Sequence, residues 1–203
     1  TADGFVFRDM VFRQTPAQVS GGLFRAPGFL LCFGDGLLPE CGLPAIVLGQ
    51  FRFEFCFVRP GINNGVGIRA IPGTDAAYQG MEIQILDHDD PIYKNLKPHQ
   101  VHGSVYGIIP AKRIVSPELG TWNQEEIRIK GDNIKVTVNG EVIVDGNIRK
   151  ACKGHNVAPD GGKTNPYTVD HLNHPGLFNK KGHIGFCGHG EGIKYRNIRV
   201  KEL

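Results

Sequence analysis

At 203 residues, with 40% hydrophobic and 21% charged residues and 28 glycines, the chain has enough apolar content for a buried core and the turn density of an all-β protein. Its formal net charge of +3 comes from lysines and arginines scattered along the sequence. No run is dense enough to follow a phosphate backbone, which argues against nucleic acid as a partner. No stretch approaches the roughly 18 consecutive apolar residues of a membrane span, and no charged-then-apolar leader precedes the first apolar group. The chain opens at Thr1 without a methionine, which fits a processed or trimmed product.

In residues 1–50 the apolar groups around Phe5, Val11, Phe24, Phe29 and Leu30 are interrupted by glycine and proline, and an opening strand with loops is expected. From residue 50 onward, short alternating runs bounded by Gly, Asn, Asp and Pro replace any helical period. Residues 50–58 place Phe51, Phe53, Phe55 and Phe57 on one face of a strand and Arg52, Glu54 and Cys56 on the other. Further strands are expected over 66–71, 81–86, 102–109, 122–130, 133–144, 183–187 and 193–200. Gly131-Asp132 and Asn139-Gly140 mark hairpin turns, Asn-Gly being the preferred pair where both central residues need positive φ. Residues 149–181 lack a period and read as a long surface loop. The whole is expected to be one β-sandwich domain over 1–203, of two antiparallel sheets.

Chemistry is expected on the face of these strands opposite the core. Met81, Ile83 and Ile85 point inward, which turns Glu82 and Gln84 outward; Arg69, the set His102, Ser104 and Tyr106, and the pair Cys187 and His189 can share that face. Such a surface binds hydroxyls and moves protons. An ordinary solvated sheet face also carries Glu, Gln and Arg, but Gly65, Gly67, Gly103 and Gly107 weaken strands unless something approaches the backbone closely. The run Asp87-His88-Asp89-Asp90 has metal-ligating residue types without EF-hand spacing, and a strand-ending turn capped by Asp87 is the simpler reading. Among the five cysteines, Cys32 and Cys41 are the candidate disulfide pair, and no oxyanion-hole signature supports Cys187 as a nucleophile. Trp122 is expected at a packed or edge position, and His171 and His174 in the long loop near the site.

Several motifs occur in a telling order: Asn64-Gly65-Val66-Gly67-Ile68-Arg69, Gly80-Met81-Glu82-Ile83-Gln84-Ile85-Leu86-Asp87, His102-Gly103-Ser104-Val105-Tyr106-Gly107, Gly120-Thr121-Trp122-Asn123, His174-Pro175-Gly176 and Gly182-His183-Ile184-Gly185. With His189-Gly190 and Tyr195-Arg196-Asn197-Ile198, this order resembles the 3-keto-disaccharide hydrolase family over about residues 50–203, while residues 1–50 match poorly. The resemblance implies a concanavalin A-like jelly roll, an oligosaccharide or glycoside substrate oxidised at C3, and a bacterial protein exported to the periplasm or beyond. In such a substrate the ketone acidifies the C2 hydrogen, so a base forms an enolate that expels the glycosidic oxygen from C1. The route needs a base, an acid and a stabiliser for the enolate, and the chain shows no ExDxE set for conventional glycoside hydrolysis.

His102, His189, Tyr106 and Arg69 are the candidate catalytic residues, and Glu82, Gln84, Ser104, Cys187 and Asp87 the candidate substrate-binding ones. Glu82, Asp87 and His189 are candidate ligands if a divalent metal ion serves as the stabiliser. Phe186-Cys187-Gly188-His189 departs from the Leu-Gln-x-His pattern of relatives. The alternative function is a non-catalytic, lectin-like carbohydrate-binding module or a structural sandwich.

Overall fold

A computed structural model describes residues 48–188 and 192–202, together with the backbone of two short paired strands, β1 (Phe24–Ala26) and β2 (Phe29–Leu31). The candidate disulfide partners Cys32 and Cys41, and His189, lie outside the described residues.

The chain is all-β, built as two antiparallel sheets packed face to face. β3 (Leu48–Phe57), β6 (Asn123–Lys130), β7 (Asn133–Val138), β8 (Glu141–Asn147) and β10 (Ile193–Glu202) make a five-stranded sheet in the order β10-β3-β6-β7-β8. β4 (Asn63–Ala70), β5 (Met81–Leu86) and β9 (His183–Gly188) make a three-stranded sheet in the order β5-β4-β9. Two single-turn helices, α1 (Ala76–Gln79) and α2 (Ile148–Ala151), sit in the connections.

The four alternating phenylalanines of β3 are all buried, and they meet Val66, Ile68, Met81, Ile83, Ile85 and Phe186 of the smaller sheet. Phe186 carries the sheet-to-sheet contact, edge-on to Phe53 at 5.5 Å between ring centroids and stacked on Tyr195 at 3.7 Å. Burying each such side chain stabilises the fold by about 1.5–3 kcal/mol. The Asn139-Gly140 turn takes φ of 50° and 85°, as a tight hairpin between β7 and β8 requires.

Residues 102–109 do not form the expected strand. Gly103 and Gly107 adopt φ of 80° and 73°, which breaks the alternation. The segment touches β5 through one bridge, Ile83 with Val105, and then folds back so that Val105 bridges Ile109. Within the segment 149–181, residues 149–151 belong to α2 and 152–181 contain turns and no strand; the segment is more than surface covering, since Cys152, Asn165, Thr168, His174 and Leu177 are buried.

Candidate active site

Alternation along the smaller sheet builds the floor of a cavity of about 480 Å³. Because Met81, Ile83 and Ile85 face the core, Glu82 and Gln84 face outward. Gly67 and Gly65 lie opposite them on β4, and Cys187 of β9 pairs with Gly65 from the other side. One wall is Asp75, Ala76, Ala77 and Tyr78 at α1; the other is Tyr93, Leu96, Gln100 and Tyr106. The volume is that of a small-molecule site.

Glu82 dominates the electrostatics. It is 8% exposed and lines the cavity, and its carboxylate makes no hydrogen bond or ion pair with any described residue. Burial, with the nearby charge of Asp75 adding, pushes its carboxyl up to about 7. Near neutral pH such a group exists in both forms and exchanges a proton at little cost. Burial, reinforced by Tyr106, Asp170, Asp75 and Glu82, pushes the Tyr78 phenol up to about 12, so it remains a donor. Gln84 donates from Nε2 to Asn63 Oδ1 at 2.7 Å, which fixes both amides and leaves Gln84 Oε1 and Asn63 Nδ2 for hydroxyl groups of a ligand.

The walls are tied down by polar contacts behind them. Asp75 caps α1, its Oδ1 accepting from the Ala77 N–H at 2.9 Å. His174 meets Ala77 O through Nδ1 at 2.8 Å and Asp170 through Nε2 at 3.0 Å, with the Tyr78 ring 4.9 Å from its own. The long segment thereby braces the wall carrying Asp75 and Tyr78. On the opposite wall the Tyr106 N–H donates to Glu82 O at 2.9 Å, and the Tyr106 ring stands edge-on to His99.

Of the residues expected from sequence, Glu82, Gln84, Tyr106 and Cys187 meet at the cavity. Four do not line it. Arg69 has φ of 53° at a register shift between Gly67 and Ala70, which turns its guanidinium away to Gly131 O at 3.0 Å. Ser104 is buried, accepting from the Ala111 N–H at 2.9 Å. Asp87 accepts from the Gly61 N–H at 3.1 Å, the turn-capping role. His102, expected on the face of Tyr106, points instead into the core between Phe55 and Phe57. Its Nδ1 accepts the Leu86 N–H at 3.0 Å, and its Nε2 lies 3.3 Å from buried Glu125. With the lone pair of Nδ1 engaged, the ring has no free site for a substrate proton.

The glycines also differ from expectation. What approaches Gly65 and Gly67 is the protein itself: Glu82 lies over Gly65, and Ala76 and Cys187 crowd Gly67. Asp75, Tyr78 and Gln100 carry no alternating signal in the sequence, since only the folded connections bring them to the sheet, while Asn63 opens β4. Among the described residues no group of three or more His, Cys, Asp or Glu side chains is placed to hold a metal ion. Asp89 and Asp90 of the acidic run are held by Arg113, by Ser116 and by the turn at Ile92.

Residues 47–201 match the sequence profile of the 3-keto-alpha-glucoside-1,2-lyase-like domain. A curated 3-keto-disaccharide hydrolase of Bacteroides thetaiotaomicron is 29% identical over 129 residues, covering 60% of this chain. The match spans 43% of that relative's length. The crystal structure of a candidate glycosyl hydrolase from Parabacteroides distasonis aligns with a TM-score of 0.59 at 26% identity, covering 79% of this chain and 80% of the other. A second from the same organism, at 18% identity and TM-score 0.60 over 79% and 74% of the two chains, shares the fold.

Proposed function

The chain belongs to the family of 3-keto-alpha-glucoside-1,2-lyase-like domains, and on that premise we propose that its cavity cleaves 3-keto-glycosides with Glu82 as the proton-transfer group. The observation that carries this is a buried, unpartnered carboxyl with a proton affinity near neutrality at the floor of a sugar-sized cavity. The names of the relatives support the substrate class.

In this reading ionised Glu82 removes the proton from C2. The C2–H electron pair becomes the C2=C3 bond of the enolate; as the enolate collapses to the ketone, a C1=C2 bond forms and the C1–O bond breaks. Tyr78 or Tyr106 supplies the proton to the departing oxygen, both phenols lining the cavity. Water adding across the new double bond completes net hydrolysis. Gln84 and Asn63 orient ring hydroxyls.

The experiment is aglycone release from aryl 3-keto-glucosides made in situ by oxidation at C3, comparing the native protein with Glu82→Gln, each with and without chelator. Release that drops by at least about a hundredfold in the variant supports the reading. Binding of the glycan without release by either protein overturns it in favour of a carbohydrate-binding module.

A further inference from the structure

The outer face of the five-stranded sheet, on the far side of the sandwich from the cavity, is strongly basic. Along β10, Lys194 and Arg196 face away from the core, and so do Arg199 and Lys201, because a register shift between Arg196 and Arg199 turns Ile198 inward in place of Arg199. Arg52 of β3, Arg128 and Lys130 of β6 and Lys135 of β7 stand on the same face, by the alternation that buries their neighbours. Against these eight cations the face carries three carboxylates, Glu54, Glu126 and Asp145, an excess of five positive charges in a chain whose net charge is +3. The two central carboxylates are already engaged. Glu54 accepts from Arg196 Nε at 2.6 Å and Asn197 Nδ2 at 2.7 Å, while Glu126 pairs with Arg128 and accepts from Gln50 Nε2 at 2.7 Å. Arg52, held by its bond from Nη2 to Gln124 Oε1 at 2.8 Å, and Arg199 are left directly opposite each other, and neither makes an ion pair with a described residue. Like charges placed opposite across two strands are unfavourable, and an anion lying over both relieves the repulsion.

We infer that this face binds a carboxylate-bearing polysaccharide, with Arg52 and Arg199 at the centre of the contact and Lys201 extending it. The cations without a carboxylate partner run along β10 from Lys194 to Lys201, roughly 20 Å of strand, which suits an extended occupant. They are also sparse. Side chains on one face of a strand recur about every 7 Å, whereas duplex DNA carries one charge per about 1.7 Å, so a polymer with at most one charge per sugar is the better match. The cavity takes no part in this binding, since it opens on the other sheet, and a bound polymer leaves it free.

The test is binding of size-defined polygalacturonate at about 50 mM salt, beside its methyl-esterified form, which keeps the backbone and removes the charge, and duplex DNA of similar length. Polygalacturonate is expected to bind at least about tenfold tighter than the ester, and salt of about 0.5 M to abolish most of that gain, because the interaction is between charges. The double variant Arg199→Ala with Lys201→Ala removes two exposed cations from the face and is expected to lose about tenfold in affinity. Lys153→Ala with Lys163→Ala removes two exposed cations from the long segment instead, at the same cost in net charge, and is expected to bind as the native protein does. Equal binding of the ester, or an equal loss in the two double variants, overturns the inference. Tighter binding of duplex DNA than of polygalacturonate overturns it too and assigns the face to nucleic acid. None of these outcomes bears on the chemistry assigned to Glu82, which aglycone release tests separately.

Discussion

The carboxylate of Glu82 occupies the space that a side chain at Gly65 would fill: a Cβ built on Gly65 collides with Glu82 Oε1. The two residues sit on adjacent strands, Gly65 opposite Gln84 and Glu82 opposite Gly67, so they are diagonal neighbours on one face. The glycine thus lets a buried acid lie flat across the sheet instead of standing up into the cavity.

Gly65→Ala is therefore expected to displace Glu82 while leaving its chemical identity intact. Overpacking at this position destabilises by about 1–3 kcal/mol. If the orientation of Glu82 matters, turnover in the variant falls nearly as far as in Glu82→Gln, and the pH profile shifts as the carboxyl gains solvent. Thermal unfolding and kcat against pH, measured together, check this. An alanine variant with native turnover and a native profile would show that the flat placement of Glu82 is incidental.

Period-two alternation was sufficient to put Glu82, Gln84 and Cys187 on one outer face, because β5 and β9 are regular and their other faces are plainly apolar. It failed wherever regularity failed. Arg69 leaves the face at a bulge, which alternation cannot foresee. His102 and Tyr106 share a parity in sequence, but a turn at Gly103 sends one into the core and the other to the cavity wall. The hairpin at Asn139-Gly140 was legible because its turn chemistry is local. Asp75 and Tyr78 were not, since a loop residue reaches a site only through tertiary packing, here the brace that His174 provides from nearly a hundred residues away.

The proton affinity of Glu82 gives stability a definite dependence on pH. Its carboxyl is raised from an ordinary 4.5 to about 7 in the folded state, so the native protein binds more protons than the unfolded chain between those values. Stability from this group is complete below about pH 4.5 and declines as pH rises through 7. The total loss is of order 3 kcal/mol, the carboxyl being almost wholly buried. Glu82→Gln, which stays neutral, is expected to unfold at a higher temperature than the native protein at pH 8 and at a similar one at pH 5. Melting curves across that range check the sign. A variant less stable than the native protein at pH 8 would mean that ionised Glu82 has a favourable partner.

His102 provides the sharpest contrast between expectation and position. It is fully buried, accepts the Leu86 N–H, donates its own backbone N–H to His88 Nδ1 and packs beside Phe55. His102→Ala leaves that Leu86 amide without an acceptor and opens a cavity between the sheets, a combined loss of about 3–5 kcal/mol. The variant is expected to melt well below the native protein. At a temperature where it remains folded, kcat should fall by less than about tenfold, against about a hundredfold or more for Glu82→Gln. The discriminating measurement is turnover per folded molecule, with the folded fraction read from near-ultraviolet circular dichroism. A hundredfold loss in a fully folded His102→Ala would place the imidazole in the chemistry and require the core around Phe55 and Glu125 to open during turnover.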